Sequence, residues 1–139
     1  MSGTRKPVGP QCRDTLTRGR WDTRRMSDLT DLTERMREFT EQREWARFHD
    51  PKSLILALVG EVGELAELFQ WLPAGEAREL TTQEPLATRA GEEMADVLLY
   101  LVRLADVLGI DLADAAHRKL DAGHQRYPAA DFTGRAPAK

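Results

Sequence analysis

Two groups of acids are the residues with chemistry to offer. Glu61, Glu64 and Glu67 follow directly on the apolar run Leu54–Val59, and Glu92, Glu93 and Asp96 directly precede the apolar run Val97–Val102. On a helix, Glu61 and Glu64 are an i, i+3 pair on one face, as are Glu93 and Asp96; Glu92 and Asp96, at i, i+4, could share that second face. If the two segments pack side by side, two carboxylate pairs confront each other. Carboxylates in partly apolar surroundings are costly unless neutralised, and like charges raise one another's pKa. A cation removes both difficulties. Carboxylate oxygens are hard ligands, which favours Mg²⁺, or Mn²⁺, over soft metals. The competing reading is a solvated acidic face paired with Lys or Arg, yet the first acidic segment has no Lys or Arg between Lys52 and Arg78.

The elements that must position these acids read as helices. Leu29, Leu32, Met36, Phe39 and Trp45 fall near helical spacing. Asp28, Thr30 and Asp31 are possible N-caps for that first helix, and His49-Asp50-Pro51 ends it, since the residue before proline disfavours helix. Pro51 suits the start of a second helix over about Lys52–Trp71. Its run Leu54–Val59 is apolar all round and predicts a buried helix. Leu72-Pro73-Ala74-Gly75 breaks it, and residues 74–85 read as a loop or a short helical excursion. A third helix spans about Leu86–Leu108 and is ended by Gly109. Asp111 caps a fourth over Leu112–Arg126, stopped at Tyr127-Pro128. No strand pattern competes. The fold class is all-α, a four-helix bundle, antiparallel where loops are short. Its apolar stretches exceed what one helix pair can cover, so a homo-oligomer is expected.

Composition narrows the function classes. The chain has 139 residues, enough for one domain with a sizeable core. Its single cysteine, Cys12, excludes an internal disulfide framework and a cysteine-based zinc site. No apolar run approaches the ~18 residues of a membrane span, and no apolar leader opens the chain, so a reducing cytoplasm is the expectation. Residues 1–25 hold seven Arg or Lys against two Asp, whereas the remainder holds 13 against 21 Asp or Glu. The acidic body argues against nucleic-acid binding, which needs a basic face. The basic head lacks periodic apolar residues and reads as a disordered extension. The expected organisation is an extension over 1–25, a domain over 26–128 and a flexible tail over 129–139.

The stretches LILALVGEVGELAELFQW (54–71) and EEMADVLLYLV (92–102) resemble the MazG-type all-α nucleoside triphosphate pyrophosphohydrolases. Their pattern is E-x-x-E on one helix and E-x-x-D on the next, here Glu61-Val62-Gly63-Glu64 and Glu93-Met94-Ala95-Asp96. The flanks Glu44–His49 and Lys119–Pro128 look closest to the dCTP pyrophosphatase branch, and the resemblance covers roughly residues 30–128. It implies that Glu61, Glu64, Glu93 and Asp96 bind Mg²⁺. It also implies hydrolysis between the α and β phosphates of a nucleoside triphosphate, giving a monophosphate and pyrophosphate in the clearing of the nucleotide pool. Glu64 is the expected proton acceptor. Lys119 and Arg126, seven residues apart on one helix face, could hold phosphates, or be an exposed basic stripe. Trp45, Phe48, His49 and Trp71 flank the second helix and could stack on or edge a base, and Tyr127 of the Arg-Tyr-Pro flank is a further substrate-binding candidate; taken without the resemblance, the aromatics would be core or interface residues. Tyr100, one turn beyond Asp96, could reach the ligand or be a core tyrosine. Two positions depart from the branch: Gly123 stands where relatives often have Asn, and Met36 where close relatives tend to have His. Both point to a looser dCTP preference.

Two other classes compete. Di-iron bundles use Glu and Glu-x-x-His from separate helices; here Asp114-x-x-His117 and Asp121-x-x-His124 share one helix. A non-catalytic helical nucleotide-binding or assembly module would bind nucleotide without releasing pyrophosphate.

Overall fold

The computed structural model describes residues 25–137, so all but the last residue of the basic head, and the final two residues, lie outside the described residues. The described chain is helical with no strand among the described residues: α1 (Arg25–Glu41), α2 (Pro51–Phe69), the short α3 (Ala77–Leu80), α4 (Leu86–Val107), α5 (Leu112–Arg126) and the one-turn α6 (Ala129–Phe132).

The helix boundaries follow from local chemistry. Asp50 caps α2 by accepting from the backbone N–H of Lys52 and Ser53, with Pro51 at the first helical position. Gly109, at φ +65°, ends α4. Its N–H donates to the Asp106 carbonyl and the Ile110 N–H to the Ala105 carbonyl, the paired bonds of a Schellman close. Asp111 then caps α5 through the Asp114 N–H.

α1 departs from expectation at both ends. It starts at Arg25, so Asp28, Thr30 and Asp31 lie within it rather than capping it, with Asp28 in the first turn where a negative charge favours the helix dipole. It stops at Glu41, before Trp45. Glu44 adopts a left-handed conformation (φ 53°) and turns the chain into a 3-10 turn over Trp45–Phe48. The turn is clamped by side chains: Trp45 meets Phe39 edge-on at 5.7 Å between ring centres, and the Arg43 guanidinium lies 3.7 Å over Phe39. Trp45 stands six positions after Phe39, a spacing that a continuous helix would not stack.

α4 is the central element, with α2 and α1 packed on it. α2 and α4 run antiparallel. His49, just ahead of α2, bonds to Arg103 late in α4, while Glu61 and Glu64, further along α2, meet Glu93 early in α4. Leu54, Ala90, Val102 and Ala105 form the fully buried apolar set. The expectation that Leu54–Val59 is buried all round holds only on one stripe. Leu54 is 2% exposed, whereas Leu56 and Val59 are 62% exposed. α2 has α4 on one side and no further helix over its opposite face among the described residues. α5 makes few contacts with the rest. Beyond it, residues 129–132 of the segment read as tail form α6, whose Phe132 packs edge-on against Tyr127 at 5.2 Å.

Candidate metal and nucleotide site

The antiparallel packing of α2 on α4 converts two sequence motifs into one acidic centre. One carboxylate oxygen from each of Glu61, Glu64 and Glu93 lies within 4.8 Å of the others. Glu61 and Glu93 are half-buried and Glu64 is exposed. Glu93 Oε2 is buried and has no hydrogen-bond partner. A buried carboxylate oxygen left unpaired beside two more carboxylates is a costly arrangement. The Glu61 carboxyl is pushed above its ordinary range, first by burial and then by the charges of Asp96, Glu64 and Glu93. Asp96 therefore acts on the centre electrostatically, although it stands outside the three-carboxylate contact. A hard divalent cation fits this donor set: it supplies the missing partner of Glu93 and offsets the mutual repulsion. No arginine or lysine salt bridge to these acids occurs among the described residues.

Asp96 also lines a cavity of about 380 Å³ that opens beside the acids. Trp45, His49 and Tyr100 line it too, as does Met36. Three of the aromatic or imidazole residues named from sequence thus share one cavity with a proposed metal ligand. Helix α1 contributes one wall of it, with the 3-10 turn supplying Trp45.

The remaining expected ligand residues are elsewhere in the single chain. Trp71 lies beyond the end of α2 and is 86% exposed. Lys119, Arg126 and Tyr127 are on or just after α5, exposed, and line no part of this cavity. Arg126 sits 5.4 Å from the Tyr127 ring. The reason is the standing-off of α5: one-face spacing put Lys119 and Arg126 together, but the helix carrying them is not packed against α2 or α4. Gly123 is likewise remote, with open space where a side chain would begin.

Two residues bearing on the site were not foreseen. Arg35 of α1 lines the cavity. Arg103 of α4 donates from Nε to His49 Nδ1 at 3.2 Å. A lone cation beside the apolar run Val97–Val102, on the buried side of an amphipathic helix, was the available signal for Arg103.

These features define the class. An all-α chain with facing E-x-x-E and E-x-x-D carboxylates is matched over residues 57–136 by the MazG-like family, and the chain belongs to that family. Among particular proteins, it is similar to dCTP pyrophosphatase 1 of Homo sapiens, 44% identical over 116 residues that make up 84% of this chain and 68% of that protein. The protein of the same name from Rattus norvegicus is 47% identical over 100 residues, 72% of this chain and 59% of that protein. The chain thus spans about three-fifths to two-thirds of the length of these curated relatives. The crystal structure of a pyrophosphatase from Archaeoglobus fulgidus superposes with a TM-score of 0.65 at 37% identity, covering 75% of this chain and 93% of that one.

Proposed function

We propose that this chain is a divalent-metal-dependent nucleoside triphosphate pyrophosphohydrolase that cleaves the α–β phosphate bond of dCTP and 5-substituted dCTP, releasing the monophosphate and pyrophosphate. The observation that carries the reading is the convergence of Glu61, Glu64 and Glu93 around an unpaired buried oxygen, next to an aromatic-walled cavity. The named activity of the human and rat relatives supports the substrate. Glu61, Glu64, Glu93 and Asp96 would hold Mg²⁺, with Mn²⁺ the alternative of like hardness. Bound there, the cation would screen the triphosphate from the acids and polarise the phosphorus under attack.

The chain's own residues supply the remainder. Glu61 and Glu93 are half-buried. Glu64 is exposed, so it can take the proton of the attacking water at a carboxylate oxygen and return it to solvent. As the water oxygen joins phosphorus, the bridging P–O bond breaks and pyrophosphate leaves. Trp45 offers a flat wall for the base, and Tyr100 and His49 offer polar edges. At about 380 Å³ the cavity lies within the about 300–1,000 Å³ range of ligand sites.

The working form in this reading is a homo-oligomer, a dimer or tetramer. Ile55, Leu56, Val59, Val62, Leu98 and Leu101 are all exposed in the single chain, and exposed apolar side chains on neighbouring helices are what an interface between copies would cover. Lys119 and Arg126 would reach the phosphates, and Trp71 and Tyr127 the nucleotide, once α5 is seated in that assembly. The expected setting is the cytoplasm; no helix among the described residues is long and apolar enough to cross a membrane.

The test is pyrophosphate release by the purified chain with Mg²⁺ against dCTP, 5-methyl-dCTP, dTTP, dUTP and dATP. Cytosine nucleotides should show the highest kcat/KM. Met36 lines the cavity without a polar group, and a lost hydrogen-bond partner reduces discrimination by about 1–3 kcal/mol, so dTTP and dUTP should retain measurable turnover. A purine triphosphate as best substrate would overturn the cytosine reading. Nucleotide binding with no pyrophosphate release would identify a sensing module instead.

A further inference from the structure

A buried chain of charged groups runs from the surface of α1 to the wall of the nucleotide cavity. Arg37 of α1 donates from Nε to Asp106 Oδ1 at 2.8 Å. Asp106 Oδ2 accepts from Arg103 Nη1 at 2.7 Å, and Arg103 Nε donates to His49 Nδ1 at 3.2 Å. The Arg103 and Asp106 side chains are 10% and 7% exposed. Burying two charges carries a desolvation cost that an apolar residue of similar volume would avoid, so a buried pair is weak evidence for stability. What this pair does provide is orientation.

A guanidinium only donates hydrogen bonds and stays protonated in proteins. A ring nitrogen that accepts from it must carry a lone pair. His49 Nδ1 is therefore unprotonated, which leaves the ring proton on Nε2 and makes that nitrogen a donor only. Burial, followed by the charge of Arg103, lowers the affinity of His49 for a second proton. The other groups around the ring are accounted for. Arg35 on α1 pairs with Asp31 at 3.9 Å, Asp50 next in the chain is engaged as the α2 cap, and Asp96 and Tyr100 on α4 share the cavity wall.

We propose that Arg103 is a positioning residue for nucleotide recognition: it locks His49 in the neutral Nε2–H tautomer, so that the cavity meets the base with one fixed donor that reads an acceptor atom on the pyrimidine edge. This rests on the nucleotide reading above. Arg103 touches no substrate; it acts through His49. A lock of this kind makes discrimination insensitive to pH across the range where an ordinary histidine would titrate, near pH 6.5.

The test joins an activity-independent readout to a kinetic one. In the 139-residue chain labelled with ¹⁵N, long-range proton–nitrogen correlation of the imidazoles should show His49 Nδ1 unprotonated and Nε2 protonated from pH 8 to pH 6. His117 and His124, exposed on α5, serve as internal references, and His49→Gln assigns the signal. Arg103→Met should release the tautomer and raise KM for dCTP about tenfold, the worth of one hydrogen bond, with a new pH dependence of KM below pH 7. Arg103→Lys, which still only donates, should keep the Nε2–H form and stay within about threefold of wild-type KM. An Nδ1–H or doubly protonated His49 at pH 7 in the unaltered chain overturns the proposal. So does an Arg103→Lys chain with a mixed tautomer, or an Arg103→Met chain that loses thermal stability while tautomer and KM stay put. Absence of dCTP turnover in the unaltered chain would count against the proposed function alone, since the tautomer is read without substrate.

Discussion

Replacing Glu61 with Gln should make the metal-free protein more stable and the metal-loaded protein less so. Gln keeps the shape of the side chain and removes its charge. In the folded chain Glu61 confronts Glu64 and Glu93 at up to 4.8 Å, a separation at which each pair repels by about 1 kcal/mol in water-like surroundings and about 3 kcal/mol at an effective dielectric near 20. Glu64 is exposed, which holds the sum toward the screened end, about 1–2 kcal/mol for the two pairs. For a chain of this size that raises Tm by about 3–6 °C in EDTA. The pH dependence has a definite sign. Glu61 holds its proton more tightly folded than unfolded, first through burial and then through Asp96, Glu64 and Glu93, so its charge destabilises the fold progressively as pH rises through the carboxylate range. The advantage of Glu61→Gln should therefore be widest at pH 7–8 and close as the pH falls below the ordinary glutamate pKa of about 4.3. Mg²⁺ inverts the order. A cation held only by the folded state adds about 2.7 kcal/mol at 100 times its Kd, and the variant has lost one anionic ligand. Differential scanning calorimetry in EDTA and across a Mg²⁺ titration should give two curves that cross. A variant less stable than wild type in EDTA, or one that gains as much from Mg²⁺ as wild type does, would refute the reasoning.

Three further outcomes are expected. Asp96→Asn should reduce kcat by about 100-fold or more, the scale on which single electrostatic partners of a transition state act, with helical circular dichroism preserved; near-normal Mg²⁺-dependent turnover would remove Asp96 from the site. Leu54→Ala removes the most enclosed large side chain, 2% exposed, and should cost about 2–5 kcal/mol in urea unfolding; a loss under 1 kcal/mol would mean that the site between α2 and α4 collapses freely. A chain beginning at Met26, the domain start expected from the sequence, should keep both Tm and turnover; a fall in either would count against that boundary.

Helix existence and the acid pairs were legible because both depend on local rules. Asp50-Pro51, Gly109 and Asp111 each set a boundary by satisfying backbone groups within a few residues, and i, i+3 spacing places Glu61 with Glu64 wherever the helix goes. The end of α1 was misread because Glu44 takes a left-handed conformation that only the Phe39, Arg43 and Trp45 stack makes worthwhile. Other features needed the tertiary structure, since they join residues far apart in sequence. The antiparallel register of α2 on α4 decides that Glu93 meets Glu61 and Glu64 and leaves Glu93 Oε2 unpaired. The same register carries Arg103 to His49, fifty-four positions earlier in the chain, and so decides which ring nitrogen can donate. Helical periodicity reports which residues share a face; it carries no information on which helix covers that face. That is why Lys119 and Arg126 share a helix face yet stand apart from the cavity in the single chain, while Leu56 and Val59, apolar enough for a core, remain in solvent.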